Sequence, residues 1–301
     1  MHILWPMTFQ GDGPLDTSGV SGGGGGGGGG LPGGIKLGGG AVGIIGIIVA
    51  VLFGVNPGDI MGGGGSSSNN ANVQGNGADP QLQQQINSCT IAKANSDVVC
   101  RVVATSNSLN KVWPTLMNGY TKPALRIFND DQVASGCGVA SKAAGPFYCP
   151  ADQTVYINPS FYNELSGQLG GSNAPLAQEY VIAHEYGHHV EQLTGDLAKG
   201  QRMGAKGPTS GSVRIELKAD CYAGVWANHA DKGPNAMLEP LTQQDIQGVI
   251  QTAEAIGDDT LGQKNSDGWT HGSSQERVRW FTTGYQSGDP SKCDTFGTND
   301  L

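Results

Sequence analysis

A helical alternation of apolar and polar positions organises the middle of the chain. From Glu179 to Thr194, EYVIAHEYGHHVEQLT, and with Leu176 just ahead, apolar residues recur at Leu176, Tyr180, Ala183, Gly187 and Val190. That spacing of three and four places them on one helix face. The run holds no proline, opens after Asn173-Ala174-Pro175 and stops at Gly195, which are ordinary start and stop signals. A second helical stretch, SVRIELKADCYAGVWANHA, runs from Ser212 to Ala230, with Ser212 as the cap. Helices are also predicted over Gln81 to Ala94 and Asp97 to Leu116, with loops at Asn95-Ser96 and Trp113-Pro114. Phe161 to Leu169 begins another. Thr242 to Ile256, with a Thr242/Asp245 cap, and Ser274 to Tyr285, capped by Ser273 or Ser274, complete the set. Short β-patterns occur at Ala124 to Phe128 (ALRIF) and Gln153 to Ile157 (QTVYI), joined by a loop bearing Gly and Cys. Gly195 to Gly211 reads as a Gly- and Lys-rich connection.

The amino-terminal third reads differently. Residues 1–36 contain a glycine tract, Gly22 to Gly30, and are expected to be a disordered tether. Leu37 to Val55 is nineteen residues without a charge, long enough to span a bilayer as one transmembrane helix. Residues 56–80 are rich in Gly, Ser and Asn and read as a linker, leaving 81–301 as the folded domain. Fifty of 301 residues are glycine, so the core belongs to the later part of the chain. A net charge of −9 argues against a nucleic-acid partner. All six cysteines follow residue 80, as expected of a domain exported to an oxidising compartment. Six cysteines allow 15 pairings; the short loops favour Cys89 with Cys100 and Cys137 with Cys149, leaving Cys221 with Cys293, and buried free thiols are the alternative.

The first helix carries His184-Glu185-Tyr186-Gly187-His188, an H-E-x-x-H motif. Residues four apart share a helix face, so both histidines can reach one zinc ion, with Glu185 beside them. A catalytic zinc site takes a third protein ligand and keeps a position for water. In the second helix Glu216 and Asp220 also stand four apart. Glu216 suits the third ligand, and Asp220 suits the acceptor for a ligating histidine's free N–H. A solvated acidic face is the competing reading of that pair. His189 points about 100 degrees away from His188 and reads as packing or surface, since each helical residue turns by that angle.

These stretches resemble the neutral zinc metallopeptidases of bacterial membranes. The likeness is carried by SGCG (Ser135 to Gly138), AGPFYCPADQTVYI (Ala144 to Ile157), YVIAHEYGHHVEQL (Tyr180 to Leu193), RIELKADCYAGVW (Arg214 to Trp226) and THGSSQERVRWF (Thr270 to Phe281). It implies an α+β, mainly helical zincin-like domain with a small β component, preceded by the transmembrane helix. It also implies a Zn(2+) cofactor held by His184, His188 and Glu216, with Glu185 as the catalytic glutamate. The expected function is zinc-dependent hydrolysis of peptide bonds in a peptide or protein substrate. The domain would be tethered to the lipid bilayer by a single pass, on the periplasmic or extracellular side. A non-catalytic zinc-bound scaffold or peptide-binding module is the alternative, and a purely structural site has no use for Glu185. By analogy with thermolysin-type sites, His271 in Thr270-His271-Gly272 is a candidate oxyanion donor; a surface or capping residue, or a zinc ligand in place of Glu216, are its other readings. QTVYI is the candidate strand for pairing with extended substrate. The connection from Gly195 to Gly211 departs from the resemblance, where family members carry more helical sequence.

Overall fold

The computed structural model describes residues 8–23 and 78–301. In chain order these form β1 (Val20–Gly22), α1 (Pro80–Asn87), α2 (Ile91–Ala94), α3 (Val98–Leu116), β2 (Ala124–Ile127), β3 (Gln132–Ser135) and β4 (Gly138–Ser141). There follow β5 (Phe147–Cys149), β6 (Thr154–Ile157), α4 (Phe161–Gly167), α5 (Pro175–Thr194), α6 (Asp196–Gln201), α7 (Gly211–Ala230), α8 (Gln243–Ala255) and α9 (Ser274–Ser287). A four-stranded sheet runs β1-β2-β6-β5, with β1, β2 and β6 parallel and β5 antiparallel to β6. β3 and β4 make a separate hairpin. The mainly helical body with a small β component is the architecture the sequence predicts.

The core is built around α5 and α7. Residues 175–191 of α5 are buried without a break, and so are residues 211–227 of α7. Helices hidden on every side exclude water from their own polar residues, which must then pair with one another. α7 packs on α5 and on α9. The approach is close enough to forbid side chains at two points. A Cβ on Gly187 would lie 2.9 Å from the Ala219 Cα, and one on Gly284 would lie 1.9 Å from the Cys221 carbonyl oxygen. The three disulfides are Cys89–Cys100, Cys137–Cys149 and Cys221–Cys293, the pairing that loop length favours. The last ties α7 to the carboxy-terminal segment.

Several expectations are corrected. Residues 8–23, expected within a disordered tether, pack against the domain. β1 pairs with β2 in the register Val20 to Leu125, Asn95 bonds the Thr8 and Phe9 amides, and Phe9 is buried. This overturns the single transmembrane helix, the bilayer as a partner and the single-pass localisation. One crossing between residues 23 and 78 would set β1 and β2 on opposite faces of a bilayer, yet they share a sheet. Among the described residues no helix is long and apolar enough to cross a membrane, and residues 37–55 themselves lie outside the described residues, as do most of the tether and the linker. α3 runs through Pro114 instead of breaking there; the proline falls in the last turn, where the loss of one N–H interrupts little. α7 is capped by Ser210, two residues earlier than Ser212, whose hydroxyl instead donates to the Thr270 carbonyl. The connection after Gly195 contains α6. QTVYI falls on β6, which has β2 on one edge and β5 on the other, so it has no free edge to offer a substrate.

Two outcomes follow from this packing. Gly187→Ala or Gly284→Ala is expected to cost about 1–3 kcal/mol of stability by overpacking, read as a lower urea midpoint with an unchanged slope; an unchanged midpoint would mean that the helices can move apart freely. Buried Glu179 on α5 gives a pH dependence. Burial, opposed by Arg101, raises its pKa from 4.5 to about 8. Between those values the folded protein holds a proton that the unfolded chain releases. The group's contribution is therefore full below pH 4.5, declines as pH rises and is lost above 8. Wild-type stability should fall more between pH 5 and 9 than that of Glu179→Gln, and equal falls in the two denaturation series would refute this.

Candidate metal centre and active site

α5 brings His184 and His188 onto one face, and α7 brings Glu216 against them. His184 Nε2 lies 3.1 Å from His188 Nε2 and 3.1 Å from Glu216 Oε2, and His188 Nε2 is 3.8 Å from Glu216 Oε1. One ligand atom from each of the three lies within 4.8 Å of the others, and all three residues are buried.

The far side of each ring fixes what faces inward. His184 Nδ1–H donates to Asp220 Oδ1 at 2.8 Å, and His188 Nδ1–H donates to Glu191 Oε2 at 2.8 Å. In neutral rings so held, both Nε2 atoms turn lone pairs toward each other and toward a carboxylate. Such a cluster is repulsive unless positive charge enters it. Four buried carboxylates, Glu185, Glu191, Glu216 and Asp220, surround it, while Arg277 is the buried cation bonded to them, at Asp220. The titration directions agree. Burial opposes a proton on His184, but Asp220 and Glu216 outweigh it and raise the pKa to about 10. Burial drives His188 down to about 3, and the two imidazoles outweigh burial to draw Glu216 down to about 2. Two imidazoles and a carboxylate, buried and starved of positive charge, are a donor set that fits Zn(2+).

Asp220 is itself held. It accepts from the Tyr180 hydroxyl at 2.5 Å and from Arg277 Nη2 at 3.0 Å, and Arg277 Nε lies 3.0 Å from its other oxygen. Glu185 is buried beside the ligands. Burial first, then the Glu216 charge, raise its pKa to about 7, against the pull of His184 and of the Tyr148 amide. One of its oxygens, Oε2, is buried without a hydrogen-bond partner.

His271 is buried, not on the surface, and it is not one of the clustered ligands. Its Nδ1–H donates to Asp258 Oδ1 at 3.0 Å, while Asp258 Oδ2 accepts the amides of Thr270, His271 and Gly272. Asp258 outweighs burial and raises the His271 pKa, and the Glu216 charge adds to the effect. The outward Nε2 is buried without a partner. Two tyrosines of the flanking segments, Tyr148 and Tyr222, have their hydroxyls engaged elsewhere. Tyr148 Oη is bonded to His189 Nδ1 and Gln192, and Tyr222 lies on the side of Lys218 and Thr194. His189 is packing, with Nε2–H on the Thr121 carbonyl. Arg277 and Arg279 serve structural pairs, with Asp220 and Asp300.

Residues 3–296 match the family described as "Putative neutral zinc metallopeptidase". The chain belongs to that family. It is also 51% identical over 222 residues to Uncharacterized protein Mb2605 of Mycobacterium bovis, a match covering 70% of this chain and 75% of that protein. It is 35% identical over 273 residues to Uncharacterized protein YpfJ of Escherichia coli K12, covering 86% and 87%. No solved structure matches. The family match and the His184–His188–Glu216 cluster together make this member of the neutral zinc metallopeptidase family a zinc-dependent peptidase, and the scaffold alternative falls away.

Sequence reasoning missed Glu191 and Asp258. Glu191 stands at helical spacing from His188, a signal that was available. Asp258 lies thirteen residues before His271, and no spacing rule connects them.

Removing a ligand should remove the ion. His184→Ala, His188→Ala and Glu216→Ala are each expected to lower the zinc content of purified, folded protein from one per chain toward zero. Full zinc in any one of them, measured by elemental analysis against protein concentration, would take that residue out of the ligand set.

Proposed function

We propose that Glu185 is the proton acceptor of this peptidase and that His271 is the donor to the developing oxyanion. The observation that carries the reading is Glu185 itself. It is a carboxylate that no structural metal site needs, buried beside three ligands with an oxygen left unpartnered. A zinc ion held by His184, His188 and Glu216 would supply an acidified water and polarise the scissile carbonyl. Glu185, buried beside the ligands with one oxygen unpartnered, is placed to take a proton and pass it to the leaving amine. His271, its Nδ1–H fixed by Asp258 and its pKa raised by that carboxylate, can carry a second proton on Nε2, which is buried with nothing to bond. A donor held this rigidly is suited to an oxyanion that forms only during the reaction. Asp220 holds the His184 ring and, through Arg277 and Tyr180, fixes its own position.

Substrate binding follows from two features beside Glu185. β5 is an edge strand packed by α5, and its Tyr148 amide faces the Glu185 carboxylate. An extended peptide pairs best along this strand, since β6 is enclosed. Next to His184 and Glu185 is a hollow lined by Pro146, Phe161, Tyr180, Val181, Ile256 and Arg277. Its lining suits an apolar side chain adjoining the scissile bond.

Glu185→Gln should keep zinc and fold but lose most hydrolysis of an unbiased peptide library. His271→Ala should lower kcat/KM by roughly 10²–10³-fold with zinc content unchanged. The wild-type cleavage products should be enriched in apolar residues next to the cut. Near-wild-type turnover by zinc-loaded Glu185→Gln would reject the assigned base, and the same result for His271→Ala would leave the oxyanion to the metal alone.

A further inference from the structure

Glu191 follows His188 by three residues on α5, so the two share a helix face. The carboxylate is fully buried, with Oε2 at 2.8 Å from His188 Nδ1 and Oε1 without a partner. Lys218 supplies the opposing charge, but its ammonium is paired with Asp196 at 2.7 Å. A buried carboxylate with so little direct compensation is a poor choice for stability; an apolar residue of similar size would pack there at less cost. What it does make is a bond to a ring whose other nitrogen belongs to the metal cluster. We propose that Glu191 is a positioning residue for His188, the acceptor that keeps the proton on Nδ1 and turns the Nε2 lone pair toward Glu216 and the ion.

The arrangement parallels Asp220 and His184 with different parts. Asp220 comes from α7 and shares its charge with Arg277 and Tyr180. Glu191 comes from the same helix as the ring it holds, and none of the Asp220 partners touches it. The two histidines are therefore oriented by independent devices, and losing Glu191 loosens one ligand while leaving the other in place. An imidazole free to rotate or to adopt the other tautomer presents N–H instead of a lone pair for part of the time, which lowers metal affinity directly.

This inference rests on the zinc reading, and the experiment separates the two. Zinc dissociation constants are measured by competition with a chromophoric chelator for wild type, Glu191→Gln and Glu191→Leu. The leucine variant fills the space without an acceptor and should bind zinc about 10–100-fold more weakly. The glutamine variant keeps an acceptor oxygen and should stay within about threefold of wild type on the same scale. In the zinc-loaded wild type, nitrogen NMR should find the His188 proton on Nδ1 and the metal on Nε2. Wild-type affinity in Glu191→Leu, equal weakening in Glu191→Gln, or a proton on His188 Nε2 would each overturn the proposal. The NMR result decides it even if the leucine variant does not fold. A wild type that binds no zinc would defeat the zinc reading itself.

Discussion

Asp220 joins three helices at one carboxylate. It lies on α7, takes hydrogen bonds from Tyr180 and His184 on α5, and pairs with Arg277 on α9. All four residues are buried. None of these groups is stable there alone: the guanidinium needs the carboxylate, and the carboxylate needs the guanidinium, the hydroxyl and the ring. Breaking one partner of such a cluster leaves an uncompensated charge in a medium that cannot solvate it. The crossing geometry of the helices and the orientation of one metal ligand are thereby the same constraint. The glycines at the contacts let the backbones come close enough for those bonds to form.

A second carboxylate, Asp258, does comparable work on the other wall. It gathers three consecutive amides and the His271 ring, so a segment without regular secondary structure is held as firmly as a helix. Asp259, the next residue, accepts the Ser274 amide and hydroxyl at the start of α9. Two adjacent aspartates thus set both the placement of a candidate oxyanion donor and the entry of the helix that supplies Arg277. The site is built as much from buried acidic side chains, Asp220 and Asp258 foremost, as from apolar packing.

Much of this was legible because helices keep a period. The spacing of His184 and His188, and of Glu216 and Asp220, placed each pair on one face before any coordinates, and the long helices appear within a few residues of their expected ends. What bridges separate segments was not legible. Nothing local ties Asp258 to His271. β3, β4 and β5 were hidden in a stretch whose Gly and Cys content suggested only a loop. QTVYI showed a strand but not its neighbours, so its enclosed position was invisible. Val20 to Gly22 is three residues beside a glycine tract, too short to carry a readable alternation, and its pairing with β2 depends on residues about a hundred positions away.

That last pairing has a consequence for how the protein is made. β1 leaves the ribosome long before the segment containing Leu125, its partner in the sheet. Until β2 exists, there is no edge for Val20 to Gly22 to join, and Phe9 waits longer still, for its bridge to Leu238. The strand made first therefore has to wait for the body of the domain. Its return closes a loop of about a hundred residues, an entropic cost that grows only slowly with length but delays the contact. The amino-terminal strap, made first, is among the parts that can be placed only once the sheet is there to receive it.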